Sequence, residues 1–298
     1  MRIFKRKLYE KLLDWKNNRS GRTAVLIEGA RRVGKSTLAR QFAQNEYESY
    51  VMIDFSIVKK DILELFDSIA DLDYFFLQLQ FRLGVSLKER KSLIIFDEVQ
   101  MCPKARQAIK HLVADGRYDY IETGSLISIR KNVKDIVIPS EEEKMILHPL
   151  DYEEFKWALG DATTIAQMRM IFEKRLSMGD AVTRKLMRDF RLYMAVGGMP
   201  QAVCEYLETN NLMDVDRVKR GIIQLYEDDF YRIDQSGRIS MLFDAIPAQL
   251  SSNASRFQVA SALVDNVDSE KTLQLISELR ESKTINMASH ANDPAVGM

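Results

Sequence analysis

Residues 29 to 37 read Gly-Ala-Arg-Arg-Val-Gly-Lys-Ser-Thr, and Gly29, Ala30, Arg31, Arg32, Val33, Gly34, Lys35 and Ser36 fill the pattern G-x-x-x-x-G-K-[ST] completely. Each residue type answers a need of phosphate binding. Glycines let backbone N–H groups turn inward around phosphate oxygens, and a following helix presents the positive end of its dipole. Lys35 reaches the outer phosphates, the Ser36 hydroxyl ligates Mg²⁺, and Thr37 carries the loop into the helix. The stretch predicts binding of a nucleoside triphosphate, ATP with Mg²⁺.

Such a loop works with a second carboxylate site. The apolar run "SLIIFDE" supplies one, placing Asp97 and Glu98 at a strand end. Asp97 is the expected second magnesium ligand; Glu98, directly after it, is placed to orient and deprotonate an attacking water. A pure sensor of nucleotide needs no such base, so the pair points to hydrolysis. "ETGS" ends the next strand, where Thr123 and Ser125 are candidates to contact the γ phosphate or the water. The catalytic set read from the sequence is thus Glu98, Lys35, Ser125 and Thr123.

These residues need a sheet to hold them. "RTAVLIEG", "YVMIDF", "SLIIFDEVQ", "YDYIETGS" and "KMILHPL" read as five strands, and helical runs such as "KSTLARQFAQNE" and "CPKARQAIKHLV" separate most of them. Strands alternating with helices predict βαβ units, a mainly parallel sheet and a three-layer α/β domain over residues 21–150. One further strand between the loop strand and the Asp97 strand is the arrangement of P-loop proteins that carry a catalytic glutamate. Beyond residue 150 nearly every segment has helical periodicity, broken at Gly160, "MGD", "VGGMP" and "DQSGR". The expected division is a basic N-terminal helix (1–20), the α/β core (21–150), a helical lid (151–235) and a last helical section (236–298).

Composition narrows the partners. Lys plus Arg equals Asp plus Glu at 43 each, so the chain as a whole has no basic excess of the kind nucleic-acid binding uses. The first twenty residues are the exception, with seven basic side chains against two acidic ones. Leu8, Leu12, Leu13 and Trp15 fall there at helical spacing, which favours a helix docked on the core over a membrane or nucleic-acid contact. No apolar run approaches the ~20 residues needed to span a bilayer. Cys102 and Cys204 share no metal or disulfide spacing, so a cytoplasmic location is the default expectation.

Taken together, "GARRVGKSTLARQFA", "LIIFDEVQ", "YIETGSLIS", "IPSEEEKMILHPLDYEEF", "YMAVGGMPQAV" and "LYEDDFYRID" resemble the bacterial and archaeal AAA+-related ATPases of the AAA_14 type, across essentially the whole chain. The resemblance implies an ATP-binding AAA+ core, a helical lid and a winged-helix-like C-terminal half. It further implies, in full-length members, a nuclease-like region that this chain stops short of, so a truncated end is expected. It carries Lys35, Ser36, Asp97 and Glu98 over as the Walker residues, and Ser125 or Thr123 as sensor. Many relatives place a Gly-Arg pair after the sensor, whereas this chain has "KDIVIPSEEEK". Arg117 and Arg130 are the arginine-finger candidates left.

In the helical half, segments 239–251, 255–264 and 268–281 read as three short helices followed by an extended 284–287, the order of a winged helix. The third helix offers Lys271 and Arg280 against Glu270, Glu278 and Glu281, which favours protein packing over a DNA groove. "YEDDFYR", with Glu227, Asp228 and Asp229, reads as an acidic face or as the partner of basic residues in preference to a metal site. In "VGGMP", Gly197 and Gly198 supply positive φ for a tight turn, with Pro200 opening the next helix. His111, His148 and His290 stand alone. The expected function is Mg²⁺-dependent ATP hydrolysis driving a conformational change, with a protein partner or a second copy of the chain as its target. The alternatives are a nucleotide-gated switch with negligible turnover and, less favoured by charge, a DNA-associated ATPase module.

Overall fold

The computed structural model describes residues 2–125, 140–252, 256–263 and 269–288. Five parallel strands, β1 (Ala24–Glu28), β2 (Ser49–Asp54), β3 (Ser92–Asp97), β4 (Asp119–Gly124) and β5 (Glu142–Ile146), form one sheet in the order β2-β3-β4-β1-β5. All five strands expected from the apolar runs are present. The loop strand β1 and the carboxylate strand β3 are not neighbours, because β4 lies between them. Every residue of β1, β3 and β4 is buried, as expected for strands covered by helices on both faces.

Helices α2 (Lys35–Glu46), α3 (Lys60–Leu65), α4 (Leu72–Leu83) and α5 (Pro103–Asp115, with Pro103 in its first turn) cover the sheet. The alternation of side chains along the strands divides the core. Val25, Ile27, Leu93, Ile95 and Ile121 pack with Leu38 and Phe42 of α2. Leu26, Ile94, Phe96 and Tyr120 pack with Phe75 and Phe76 of α4 and Ile109 and Leu112 of α5. The N-terminal helix α1 (Leu8–Asn18) buries Leu8, Leu12 and Trp15 in the α2 layer. The basic charge ahead of it is taken up locally: Lys7 Nζ pairs with Asp151 and Glu153, and the Lys5 ammonium lies 4.9 Å from the centre of the Trp157 ring.

After β5 the described chain is helical: α6 (Tyr152–Ala158), α7 (Thr164–Glu173), α8 (Gly179–Val196), α9 (Pro200–Thr209), α10 (Leu212–Ile233), α11 (Arg238–Ser251), α12 (Val259–Ala262) and α13 (Ser269–Glu281). Asp151 closes a capping box with Glu154 at the start of α6, which fixes where the helical half begins. α10 lies against the α/β core: Ile222, Tyr226, Phe230 and Ile233, spaced on one helical face, join the cluster of α2 and β1.

Two details differ from the sequence reading. Residues 284–288 form no strand, so the extended wing expected there is not seen among the described residues. Of the two glycines in "VGGMP", Gly197 alone has positive φ, at +80°. Gly198 is required for space: a Cβ there would sit 2.1 Å from the Leu150 carbonyl oxygen, on a chain segment whose Leu150 N–H donates to the Gly198 carbonyl at 2.7 Å.

Candidate functional site

The loop between β1 and α2 has a backbone that few residues tolerate. Gly29 has φ +159°, and a Cβ at that position would meet the Leu147 carbonyl oxygen at 2.2 Å. Arg32 has φ +69° and Gly34 φ +96°; Gly34 caps α2. Ala30 and Val33 are buried, Arg32 is exposed, and Thr37 is half-buried in the first turn of α2. A loop of this shape at the start of a 12-residue helix presents main-chain donors where the helix dipole is positive.

Lys35 lies at that helix start, 5% exposed, and its ammonium donates to the carbonyls of Gly29 and Ala30, both at 3.0 Å. Burial pulls its pKa down to about 8, against the opposing pull of the Glu98 and Asp97 carboxylates.

Asp97 ends β3 and is the meeting point of three elements. Ser36 Oγ of α2 donates to Asp97 Oδ1 at 2.7 Å, and Thr123 Oγ1 at the end of β4 donates to the same oxygen. Burial raises the Asp97 pKa, with the two hydroxyl bonds opposing it and the neighbouring Glu98 adding to it. The neighbouring strand ends in another carboxylate, since Asp54 pairs with Asp97 in the β2–β3 register.

Glu98 leaves the strand in a left-handed conformation, φ +53° and ψ +45°. For a residue with a Cβ that conformation costs on the order of 1 kcal/mol, and it turns the side chain out of the sheet. Two donors converge on one of its oxygens: Gln100 Nε2 at 2.5 Å and Ser125 Oγ at 3.2 Å, both to Oε2. Glu98 is half-buried, while Ser125 is buried just past β4.

The loop residues, Lys35, Ser36, Asp97, Glu98, Thr123 and Ser125 therefore meet at the same end of the sheet, where β1, β3 and β4 stop. The Gly-to-Thr loop, Lys35, Ser36, Asp97 and Thr123 are linked by direct contacts, and Glu98 with Ser125 forms the adjoining wall. Arg117, a finger candidate, is tied to Asp115 and Asp73 and stacks over Phe76 at 4.7 Å; Arg130 lies outside the described residues. His111 and His148 join no metal-binding group among the described residues, and His290 lies outside them.

Over residues 21–156 the chain matches the family model AAA_14, described as an AAA domain. Residues 21–156 resemble an AAA domain. Residues 187–297 match a separate family, a domain of unknown function designated DUF8612, so AAA_14 similarity stops short of most of the helical half. No curated protein matches the sequence. Among solved structures, the Walker-type ATPase PABY2304 of Pyrococcus abyssi is similar over 94% of this chain and 90% of its own, at 16% identity and a TM-score of 0.55. The ORC1 protein of Aeropyrum pernix, solved in complex with DNA, aligns over 94% of this chain and 84% of its own, at 13% identity and a TM-score of 0.40. The α/β region has the P-loop ATPase fold, with the glycine loop and the carboxylate strand on either side of β4. No described helix is long and apolar enough to cross a membrane.

Several residues of this site carry no motif. Gln100 stands two residues from Glu98, and its neighbour Met101 gives no hint of a polar turn. Arg6 donates through Nη1 to the Val33 carbonyl at 2.9 Å. From α10, Tyr226 Oη donates to the Arg31 carbonyl at 2.9 Å, and Asp229 pairs with the Arg31 guanidinium at 2.9 Å. Only the reading of "YEDDFYR" as a partner for basic residues pointed this way; the helical spacing of Ile222, Tyr226, Phe230 and Ile233 was the signal that this face is covered.

Proposed function

We propose that the protein is a Mg²⁺-dependent ATPase, with Lys35, Ser36, Asp97 and Glu98 at its centre. The observation that carries this reading is the convergence of Ser36 and Asp97, 61 positions apart in the chain, at 2.7 Å beside a buried Lys35. The residues fit both groups they would hold. The loop around Gly29 and Gly34 leaves room where a Cβ would not fit or would be strained, and one hydroxyl beside one carboxylate is the oxygen donor set Mg²⁺ prefers. When bound, the metal would neutralise charge on the outer phosphates.

Lys35, mostly protonated at neutral pH, exchanges its carbonyl contacts for phosphate oxygens. Ser36 and Asp97 would hold the metal, with Thr123 keeping the Asp97 carboxylate oriented. Glu98 has Oε2 held by Gln100 and Ser125, which leaves Oε1 to accept a proton from water. The water oxygen attacks the γ phosphorus, the bond to the β–γ bridging oxygen breaks, and ADP leaves. Gly29, Ala30, Arg31, Arg32, Val33, Gly34 and Thr37 line the phosphate cradle. The helical half is the part through which nucleotide state reaches a partner.

Binding comes first in testing this. Titration of the protein with a fluorescent ATP analogue and Mg²⁺ is expected to saturate, and Lys35→Ala is expected to weaken it at least tenfold. Wild-type protein that takes up no nucleotide rules the reading out. Saturable binding with no phosphate release identifies a nucleotide-gated switch instead.

A further inference from the structure

A loop that turns its N–H groups inward must turn carbonyls outward, and outward carbonyls buried in protein need donors of their own. Between Gly29 and Gly34 the donors to five of the six carbonyls can be named. Lys35 serves the carbonyls of Gly29 and Ala30. Tyr226 Oη serves Arg31, Arg6 Nη1 serves Val33, and the Leu38 N–H of α2 serves Gly34. Arg32 itself lies at the exposed crest of the loop.

Two of these donors come from outside the AAA_14 segment, one from the N-terminal stretch before α1 and one from α10. We infer that Arg6 and Tyr226 are positioning residues of the phosphate loop, and that Asp229, by its ion pair with Arg31, fastens α10 to the same loop. This rests on the reading of the loop as the ATP site.

Both donors are themselves fixed. Arg6 is 6% exposed, and besides Val33 its guanidinium donates to the His148 carbonyl and pairs with Glu154 at 3.2 Å. It thus joins the loop to the chain leaving β5 and to the first turn of α6. Tyr226 is 8% exposed with its ring in the core cluster, so its hydroxyl has a set position, and burial beside Asp229 pushes its pKa up to about 12. It therefore stays protonated, and a donor, across the working range of pH. Asp229 is 6% exposed, and Arg31 is its nearest cationic partner at 2.9 Å, with Arg232 at 3.7 Å.

Binding phosphate with a preset loop avoids the ordering that a slack loop would undergo at each binding event. Arg6 and Tyr226 do not touch nucleotide in this scheme; they act through main-chain atoms of Val33 and Arg31. A movement of α10 would shift the Arg31 carbonyl and guanidinium together, which gives the helical half a direct hold on nucleotide affinity.

The test uses the full chain and Tyr226→Phe, which removes one hydroxyl and keeps the buried ring, with Asp229→Asn and Arg6→Lys beside it. In Tyr226→Phe, amide hydrogen exchange over residues 29–36, measured without nucleotide, is expected to quicken by about three- to tenfold, the span of one hydrogen bond. The Kd for ATP should rise by a similar factor while kcat stays within about twofold. Asp229→Asn and Arg6→Lys are expected to quicken the same exchange. Unchanged loop exchange in Tyr226→Phe overturns the inference whether or not the protein binds ATP. Wild-type protein that binds no ATP defeats the functional reading alone, because the exchange measurement still decides the loop.

Discussion

Ser36 Oγ donates to Asp97 Oδ1 at 2.7 Å, joining the first turn of the loop helix to the end of a strand that is not its sheet neighbour. The contact needs β1, β4 and β3 in their observed order, with Thr123 from the intervening strand closing on the same oxygen. The site is therefore a product of topology as much as of motif, and its parts can be separated by experiment.

Lys35 makes affinity sensitive to pH in a range where an ordinary lysine is inert. Its pKa is lowered to about 8, so the ammonium is intact below that value and lost as pH rises through it. Phosphate binding uses the charged form. The ATP Kd is expected to be flat up to about pH 7.5 and to rise toward about tenfold per pH unit above 8. Titrations from pH 6.5 to 9.5 read this directly, and a Kd unchanged to pH 9.5 would refute it.

Gly198 and Gly197 should respond to alanine for different reasons. At Gly198 the new Cβ meets the Leu150 carbonyl oxygen at 2.1 Å, and that oxygen also accepts from Tyr193 Oη. Gly197 has open space around it and only its φ of +80° to strain. Gly198→Ala is expected to lose about 2 kcal/mol or more, and Gly197→Ala about 1 kcal/mol. Urea unfolding of the two variants gives the order; equal losses would show that the close approach to Leu150 does not matter.

Glu122, fully buried on the α5 face of β4, lies beside Glu142, which Arg106 Nη2 contacts at 3.1 and 3.2 Å. Burial, then the Glu142 charge, raise its pKa well above 4.5, and Arg106 only partly opposes them. The folded protein holds this proton at pH values where the unfolded chain has released it, so stability falls as pH rises from about 4.5 toward the folded pKa. Glu122→Gln removes that dependence. Its Tm is expected to exceed wild type at pH 8 and to match wild type near pH 4.5. A variant less stable than wild type at pH 8 would contradict the assignment.

How much of this could be read from the chain differs by part. The five strands, the loop, and the pair Asp97 and Glu98 were legible, because apolar runs ending in Gly or acid are local signals that the strand ends preserve. Arg6, Tyr226 and Asp229 were not, since their partners are main-chain atoms or lie nearly 200 positions away and no spacing rule links them. Gly198 was read as a positive-φ residue when its neighbour alone has that conformation. A contact with Leu150 leaves no trace in the local pattern. The extended wing after the last helix was inferred from helix order, and the described residues there form no strand.

The most direct test of the central claim is release of phosphate from ATP and Mg²⁺ by the wild-type protein and by Glu98→Gln. Wild type is expected to turn over, and Glu98→Gln to keep ATP affinity within about threefold while losing at least about a hundredfold in rate, the contribution of a positioned base. Turnover by Glu98→Gln at the wild-type rate, or none by wild type despite bound ATP, would contradict the account.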